Sequence, residues 1–320
     1  MDTVTGMSEP RSDALPGCAV VTRLLGGNPA GTAARMTSWL LIEQPGPWQA
    51  DALERVLAEA FPPGRLDVLR AGGLRPLLVR RPGRHHRSPD ARRAVFVASG
   101  RPGWRWLERI EVSDLAELAA LDLEAVGAGV PGHGVPVEGP MFLVCTHGSK
   151  DMCCAVLGRP VAGALAQNHP DRAWEVSHLG GDRWAGNLLV VPDGFLHGQL
   201  GPDEAALVAK AALAGQVEPE HLRGRTSATT PWAQFAEIAL RKAMGYRGVD
   251  SAVAVDERPV AGSDGHARVV TVLGVEREYE VVVRRNGVVG SGVSRCSGRI
   301  EPPSFVTEGI RPLEPVALPG

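Results

Sequence analysis

The sequence lacks a long apolar run, a strong charge of either sign and a signal for export. The apolar stretch at 18–26 contains Arg23 and is too short to span a bilayer. The first residues include Asp2, Glu9 and Asp13, whereas a secretory signal needs a basic start followed by an apolar run. A net charge of -2 over 320 residues disfavours a protein bound to nucleic acid or to a membrane surface. We therefore expect a cytoplasmic protein with no nucleic-acid and no membrane partner.

The sequence also lacks the cysteine pattern of a disulfide-stabilised protein. Its five cysteines are an odd number, and Cys153 and Cys154 are adjacent, which suits a metal or redox site better than a disulfide framework. Turn-forming residues, in contrast, are abundant, with 39 glycines and 26 prolines. This density disfavours a helical bundle and predicts short elements joined by many turns.

The order of apolar patterns predicts an α/β fold. Helical spacing at 47–61 lies among strand-like segments at 38–44, 75–79, 94–99 and 104–112. Four regions follow from these patterns: a weakly ordered leader over 1–36, an N-terminal α/β region over 37–135, a central α/β region over 136–248 and a β-rich C-terminal segment over 249–320. In the last of them, Asn286-Gly287 predicts the turn of a β-hairpin.

Arginine is concentrated in the N-terminal region. Twelve arginines lie between Arg65 and Arg109, against three acidic residues. Such a run is ordinarily a solvated surface, and the alternative is a docking surface for an acidic redox partner protein. Nucleic-acid binding is disfavoured because few aromatic residues are interleaved with these arginines, chiefly Trp104 and Trp106.

Two cysteines frame the most informative segment. Cys145 ends an apolar strand, and Cys154 follows at the start of a predicted helix. Helix N-termini lower the pKa of a thiol and favour anionic ligands. Two thiolates brought together by a strand, a loop and a helix form half of a tetrahedral or cluster site. The spacing differs from C-x-x-C, which disfavours a dithiol oxidoreductase.

A second loop carries an imidazole and a carboxylate. His178 follows directly on a predicted strand, and Gly180 and Gly181 allow a tight loop before Asp182 and Arg183. A lone loop histidine is ordinarily a hydrogen-bonding or exposed side chain. Within reach of two strand-end cysteines, however, His178 and Asp182 become candidate metal ligands.

The chain resembles the sucrase/ferredoxin-like family over Pro140–Gln199, through CTHGSKDMCC, GRPVAGALA and WEVSHLGGDRWAGNLLVVPDGFLHGQL. The resemblance implies a thioredoxin-like ferredoxin layer, with an N-terminal α/β extension and a β-rich C-terminal segment. It makes 136–248 the cluster-binding domain of an electron-transfer protein with a [2Fe-2S] cofactor.

The resemblance also implies a set of ligands. It makes Cys145, Cys154 and His178 the ligands, with Gly180, Gly181 and Arg183 beside the cluster. The family pattern has histidine where this chain has Asp182. The fourth ligand is therefore Asp182 or Cys296, which stands at the end of a predicted tail strand, with Cys153, His147 or loss of the cluster as the remaining alternatives.

The fourth ligand sets the charge of the centre. Either alternative adds one negative charge relative to a site with two cysteines and two histidines. We expect a reduction potential between those of two-histidine Rieske centres, about -150 to +300 mV, and plant-type centres, about -400 mV. If His178 is a ligand, the potential should fall with rising pH as its free nitrogen loses a proton.

Other classes of function remain as alternatives. One is a mononuclear zinc site built from the same ligands, and another is a metal-free thioredoxin-like thiol protein that uses Cys153 and Cys154. We expect an electron carrier rather than a catalyst. No paired-carboxylate pattern indicates a glycosidase.

Overall fold

The computed structural model describes residues 17–65, 73–83, 92–288 and 303–314. Its helices are α1 (Cys18–Leu24), α2 (Ala52–Ala60), α3 (Leu123–Ala128), α4 (Met152–Asn168), α5 (Pro202–Leu213) and α6 (Pro231–Met244), with 3₁₀ turns at Leu115–Ala120 and Asp182–Trp184. Its strands are β1 (Ser38–Glu43), β2 (Leu74–Arg80), β3 (Arg93–Arg101), β4 (Trp104–Val112), β5 (Val135–Pro136), β6 (Met141–Cys145), β7 (Ala173–Val176), β8 (Leu188–Val191), β9 (Phe195–His197), β10 (Leu222–Arg225), β11 (Val253–Pro259), β12 (Ala267–Leu273), β13 (Glu278–Val288) and β14 (Pro303–Pro312). The α/β class is confirmed.

Ten strands form one mixed sheet in the order β10-β9-β8-β6-β7-β2-β1-β3-β4-β5. In its N-terminal half, β1 and β2 are parallel and α2 lies between them in the chain, while β3 and β4 add antiparallel strands beside β1. The second half repeats this pattern. Strands β6 and β7 are parallel and are connected in the chain by α4, while β8 and β9 add antiparallel strands beside β6.

The two halves join where β2 and β7 pair antiparallel. Only the ends of these strands overlap, with Val79 opposite Val176 and Arg80 opposite Glu175. The carboxyl ends of both parallel pairs therefore meet near the middle of the sheet. The predicted regions 37–135 and 136–248 share this single sheet.

The central strands are buried on both faces, as near-continuous apolar runs predict. On β1, Leu40 and Ile42 pack toward α2, whereas Trp39 and Leu41 belong to a core shared by both halves on the opposite face. In the second half, α4 and α5 cover residues such as Phe142 in the same way. The sheet thus holds the ends of its strands in fixed positions.

Four further strands form a separate antiparallel sheet in the order β11-β12-β13-β14, which packs on α6. The hairpin turn predicted at Asn286-Gly287 is wrong, because β13 continues through both residues to Val288 and pairs with β14. The register shifts between Arg285 and Val288. Asn-Gly therefore stands at an irregularity of the strand, where glycine is also tolerated.

The range predicted as a weakly ordered leader, 1–36, falls partly outside the described residues. Within its described part, α1 forms a short helix that buries Cys18 and Ala19 and packs against the 3₁₀ turn at Asp182–Trp184. The chain then runs on to Ala33 and Met36, which join the shared core. The small side chains of Cys18, Ala19 and Ala185 allow α1 to pack closely against the chain beneath it.

Several arginines of the N-terminal run are bound within the chain. Arg80 pairs with Glu175 at 2.6 Å, and Arg105 pairs with Asp193 and Asp250 at 3.2 and 2.6 Å. Parts of the run lie outside the described residues, so the docking surface stays a prediction. Across the described ranges, no helix combines the length and the apolar character needed to cross a membrane.

Candidate metal centre

The packing of β6 against α4 brings Cys145 and Cys154 together. β6 is a buried apolar strand that ends at Cys145, and the side chain of Asp151 caps α4 by accepting a hydrogen bond from the Cys153 N–H at 2.8 Å. Cys154 therefore lies in the first helical turn, where backbone N–H groups favour a thiolate. A Cβ at Gly158 would lie 2.1 Å from the Cys145 carbonyl oxygen, so a glycine permits this approach.

The loop after β7 brings the third donor. Gly180 and Gly181 both have positive φ, of 81° and 78°, and turn the chain back toward β6. The buried Arg223 donates to the Gly180 carbonyl at 2.8 Å, and Asn187 donates to the Gly181 carbonyl at 3.0 Å. Arg223 also donates to Asn187 Oδ1 at 2.8 Å, which ties the two supports together.

Three predicted ligands converge. The sulfur atoms of Cys145 and Cys154 and a ring nitrogen of His178 all lie within 4.8 Å of one another. Both cysteines are buried, while His178 is partly exposed. Two soft sulfur donors and one imidazole form a set that suits zinc, copper or an iron–sulfur centre.

Asp182 lies beside two of these donors but does not belong to the group whose atoms are all within 4.8 Å of one another. Asp182 Oδ1 is 3.3 Å from His178 Nε2 and 3.9 Å from Cys154 Sγ, and the carboxylate is almost fully buried. Arg183 is buried in the same 3₁₀ turn. The alternative ligand, Cys296, lies outside the described residues.

The pKa values of the two thiols shift in opposite directions from the ordinary value of a cysteine. A hydrogen bond from the Cys154 thiol, with further hydrogen bonds from His178 and the Leu179 N–H, holds the pKa of Cys145 well below its ordinary value against the effect of burial. The same hydrogen bond and burial raise the pKa of Cys154, as does the charge of Asp182. Hydrogen bonding to Cys145 raises the pKa of His178. A bound metal would displace the Cys154 proton.

Sequence reasoning missed Arg223. This side chain is fully buried on β10, and burial lowers the pKa of its guanidinium to about 10, while the charges of Cys145, Cys154 and Asp182 oppose that shift. It supplies a fixed cation behind the anionic donors. The segment Leu222–Arg225 has two arginines and a glycine instead of an apolar strand pattern, so no sequence signal indicated that it is buried.

Two other predicted features lie apart from the three converging donors. His147 is buried, donates from Nε2 to the Gln49 carbonyl at 3.0 Å and has a pKa lowered by burial. The adjacent Cys153 and Cys154 point to different neighbours, since Cys153 Sγ lies 3.7 Å from Cys18 Sγ. The vicinal cysteines therefore do not form one dithiol.

The fold and the site define a mixed α/β protein with a cysteine–histidine candidate metal centre. The chain belongs to the sucrase/ferredoxin-like family, which it matches over residues 29–224. That range includes Cys145, Cys154, His178, Asp182 and Arg223. No curated protein and no solved structure matches the chain.

Proposed function

We propose that this protein is a one-electron carrier with a [2Fe-2S] cluster, rather than a catalyst. The proposal is supported chiefly by the convergence of Cys145, Cys154 and His178 within 4.8 Å. The chemistry of the donors fits the group, because thiolates and imidazoles are the ligands that [2Fe-2S] centres use. Cys145, Cys154 and His178 would hold it, and Asp182, 3.3 Å from His178 and 3.9 Å from Cys154, is a described candidate for the fourth position. When bound, the cluster supplies a reversible one-electron couple.

The surrounding residues set the conditions for that couple. The thiolates of Cys145 and Cys154 would supply negative charge, and the buried guanidinium of Arg223 interacts favourably with that charge. Hydrogen bonds from Arg223 and Asn187 fix the loop that carries His178 and therefore limit its movement between redox states. A site that does not reorganise favours rapid electron transfer.

The ligand set leads to a potential between those of the Rieske and plant-type centres, about -150 to +300 mV and about -400 mV. If Asp182 is the fourth ligand, the oxidised centre carries one negative charge more than a site with two cysteines and two histidines. Proton loss from the free nitrogen of His178 adds a further negative charge and lowers the potential as pH rises. Redox titration at several pH values tests this, and a potential independent of pH would contradict imidazole ligation.

Anaerobic purification with assays of iron and acid-labile sulfide tests the proposal directly. We expect a red-brown protein with equal amounts of iron and sulfide. A colourless, iron-free product after anaerobic reconstitution would contradict the proposal of a [2Fe-2S] protein. Substituting Asp182 and Cys296 separately, and comparing the visible spectra, then identifies the fourth ligand.

The compactness of the site favours a second candidate, a mononuclear zinc centre. Two ligands of one zinc ion, each at about 2.3 Å, lie at most about 4.6 Å apart, and the three donors lie within 4.8 Å of one another, so a small closure of the site would bring all three to one ion. In that case the purified protein is colourless, carries zinc at one equivalent or more and contains no sulfide.

A cytoplasmic location and an acidic redox partner complete the proposal. Reducing conditions keep thiols available as ligands, and the four described cysteines are free thiols. The partner would dock on the arginine-rich stretch between Arg65 and Arg109. Salt dependence of electron transfer to candidate partner proteins tests this docking, since exposed charges are screened by salt.

A further inference from the structure

A second group of donors lies one residue away from the candidate centre. Cys18 on α1, Cys153 on α4 and Asp151 at the start of α4 each place a ligand atom within 4.8 Å of the other two. All three residues are buried, and Asp151 is only 2% exposed. The topology thus gathers two sulfurs and a carboxylate from parts of the chain far apart in sequence.

We propose that Cys18, Cys153 and Asp151 form a second metal site, which takes Zn²⁺ or a similar divalent ion. Two thiolates held by one zinc ion at about 2.3 Å in tetrahedral geometry lie about 3.8 Å apart. The Sγ atoms of Cys18 and Cys153 are 3.7 Å apart. This spacing needs no movement of either cysteine to admit the ion.

The carboxylate of Asp151 supplies an independent observation. Its Oδ1 accepts the Cys153 N–H, but its Oδ2 is buried without a hydrogen-bond partner among the described residues. A buried carboxylate oxygen without a partner is costly unless it meets a cation. A divalent ion between the two sulfurs and this oxygen removes that cost.

The site has a structural consequence. An ion there would link α1 to the start of α4, with Ala19 and Ala185 packed around it. The helix α1 packs against the 3₁₀ turn that contains Asp182. An ion bound to Cys18 would therefore also restrain the turn beside the centre of Cys145, Cys154 and His178. Cys153 and Cys154 would then serve two different metals from consecutive positions of one helix.

The site goes beyond the proposed electron-transfer function and does not depend on it. The test therefore uses the full chain with both cysteines of the first centre replaced, C145S/C154S, and titrates it with Co²⁺ under reducing, anaerobic conditions. We expect one equivalent to bind with a sulfur-to-cobalt charge-transfer band, and Zn²⁺ to displace it. The matched variant C18S/C145S/C154S should lose this band, and adding Asp151→Asn to C145S/C154S should weaken binding at least about tenfold.

Two results would overturn the site: equal Co²⁺ binding by C145S/C154S and C18S/C145S/C154S, or a bound cobalt without the charge-transfer band. If C145S/C154S does not fold, the wild-type chain and C18S are compared by zinc and iron content. Loss of one zinc equivalent with the content of the first centre unchanged supports the site, and equal zinc in both overturns it. Iron content reports separately on the proposed function.

Discussion

The two halves of the large sheet have the same strand order but different chemistry. Each consists of a parallel pair joined through a helix, followed by two antiparallel strands. In the N-terminal half, β1 ends at Glu43, which accepts a hydrogen bond from the Ala94 N–H at 2.9 Å. In the second half, β6 ends at Cys145. The same backbone position thus carries a structural carboxylate in one half and a candidate ligand in the other.

The comparison teaches that topology supplies a location and the strand-end residues supply the chemistry. Ligands of α/β proteins bind at the carboxyl ends of strands, and here the carboxyl ends of both parallel pairs meet. The N-terminal half supports the other: the Trp48 carbonyl accepts from Ser149 at 2.8 Å, and that of Gln49 accepts from His147. One half therefore acts as a scaffold for the loops of the other.

The largest expected effect comes from substituting the residue at the end of each strand, Cys145 on β6 and Glu43 on β1. Cys145→Ser removes one of two thiolates and should abolish cluster or metal retention at the first centre. Glu43→Gln at the equivalent position keeps an acceptor for the Ala94 N–H and should retain the wild-type metal content. Iron, sulfide and zinc assays after anaerobic reconstitution measure both. Equal losses in the two variants would contradict the functional difference between the halves.

A smaller effect is expected where α4 meets β6. A methyl group at Gly158 would lie 2.1 Å from the Cys145 carbonyl oxygen, so Gly158→Ala must push the helix away from the strand. Overpacking of this kind costs about 1–3 kcal/mol of unfolding free energy, or more where backbone is hit.

The same helix provides the control. A Cβ at Gly163 meets no atom within 4 Å, so Gly163→Ala should be neutral or stabilising by up to about 1 kcal/mol. Urea denaturation of both variants compares the two positions. Equal stability of G158A and G163A would show that the close approach of α4 to Cys145 is not real.

A third effect tests β10, the edge strand of the second half. β10 carries two buried arginines, of which Arg223 supports the loop of His178 and Arg225 pairs with Glu237 at 3.1 Å. Arg223→Lys removes the forked hydrogen bonds and should weaken metal binding about 10–100-fold, as changes to the supports of a ligand do. Arg225→Lys should lower the unfolding free energy but leave metal affinity within about twofold of wild type. Metal competition titrations of the folded variants measure this difference.

The sequence predicts the local elements of the site well, because their apolar patterns are continuous. The apolar strand predicted to end at Cys145 is Met141–Cys145, and the helix predicted to begin near Cys154 is Met152–Asn168. What it missed depends on long-range packing. The approach of Cys18 to Cys153 spans 135 residues, and no periodicity indicates such a contact.

The burial of Arg223 was missed for a related reason. Sequence reasoning places arginine at the surface, whereas here carbonyl groups of two loops satisfy its guanidinium. The wrong hairpin at Asn286-Gly287 has a local cause, because this dipeptide fits an irregular strand as well as a turn. Local patterns thus located the candidate ligands but not the residues that support them.

The smallest effect concerns a buried imidazole of the second half. His197 on β9 donates from Nε2 to the Glu218 carbonyl at 3.0 Å, and burial lowers its pKa to about 4. In the unfolded chain its pKa is about 6.5, so between these values the unfolded state binds the extra proton. Unfolding is therefore favoured as pH falls through this window, and stability is regained as pH rises above it.

Replacing His197 with Gln should flatten this pH dependence. Between pH 7 and pH 5 the wild type is expected to lose about 2 kcal/mol of unfolding free energy through His197 alone, whereas His197→Gln keeps a donor for Glu218 and lacks the titrating group. Chemical denaturation at both pH values measures the difference, with His133→Gln in the loop before β5 as the control. Parallel pH profiles for wild type and H197Q would mean that the imidazole is not held neutral inside the sheet, and that the second half is more open at β9 than its packing indicates.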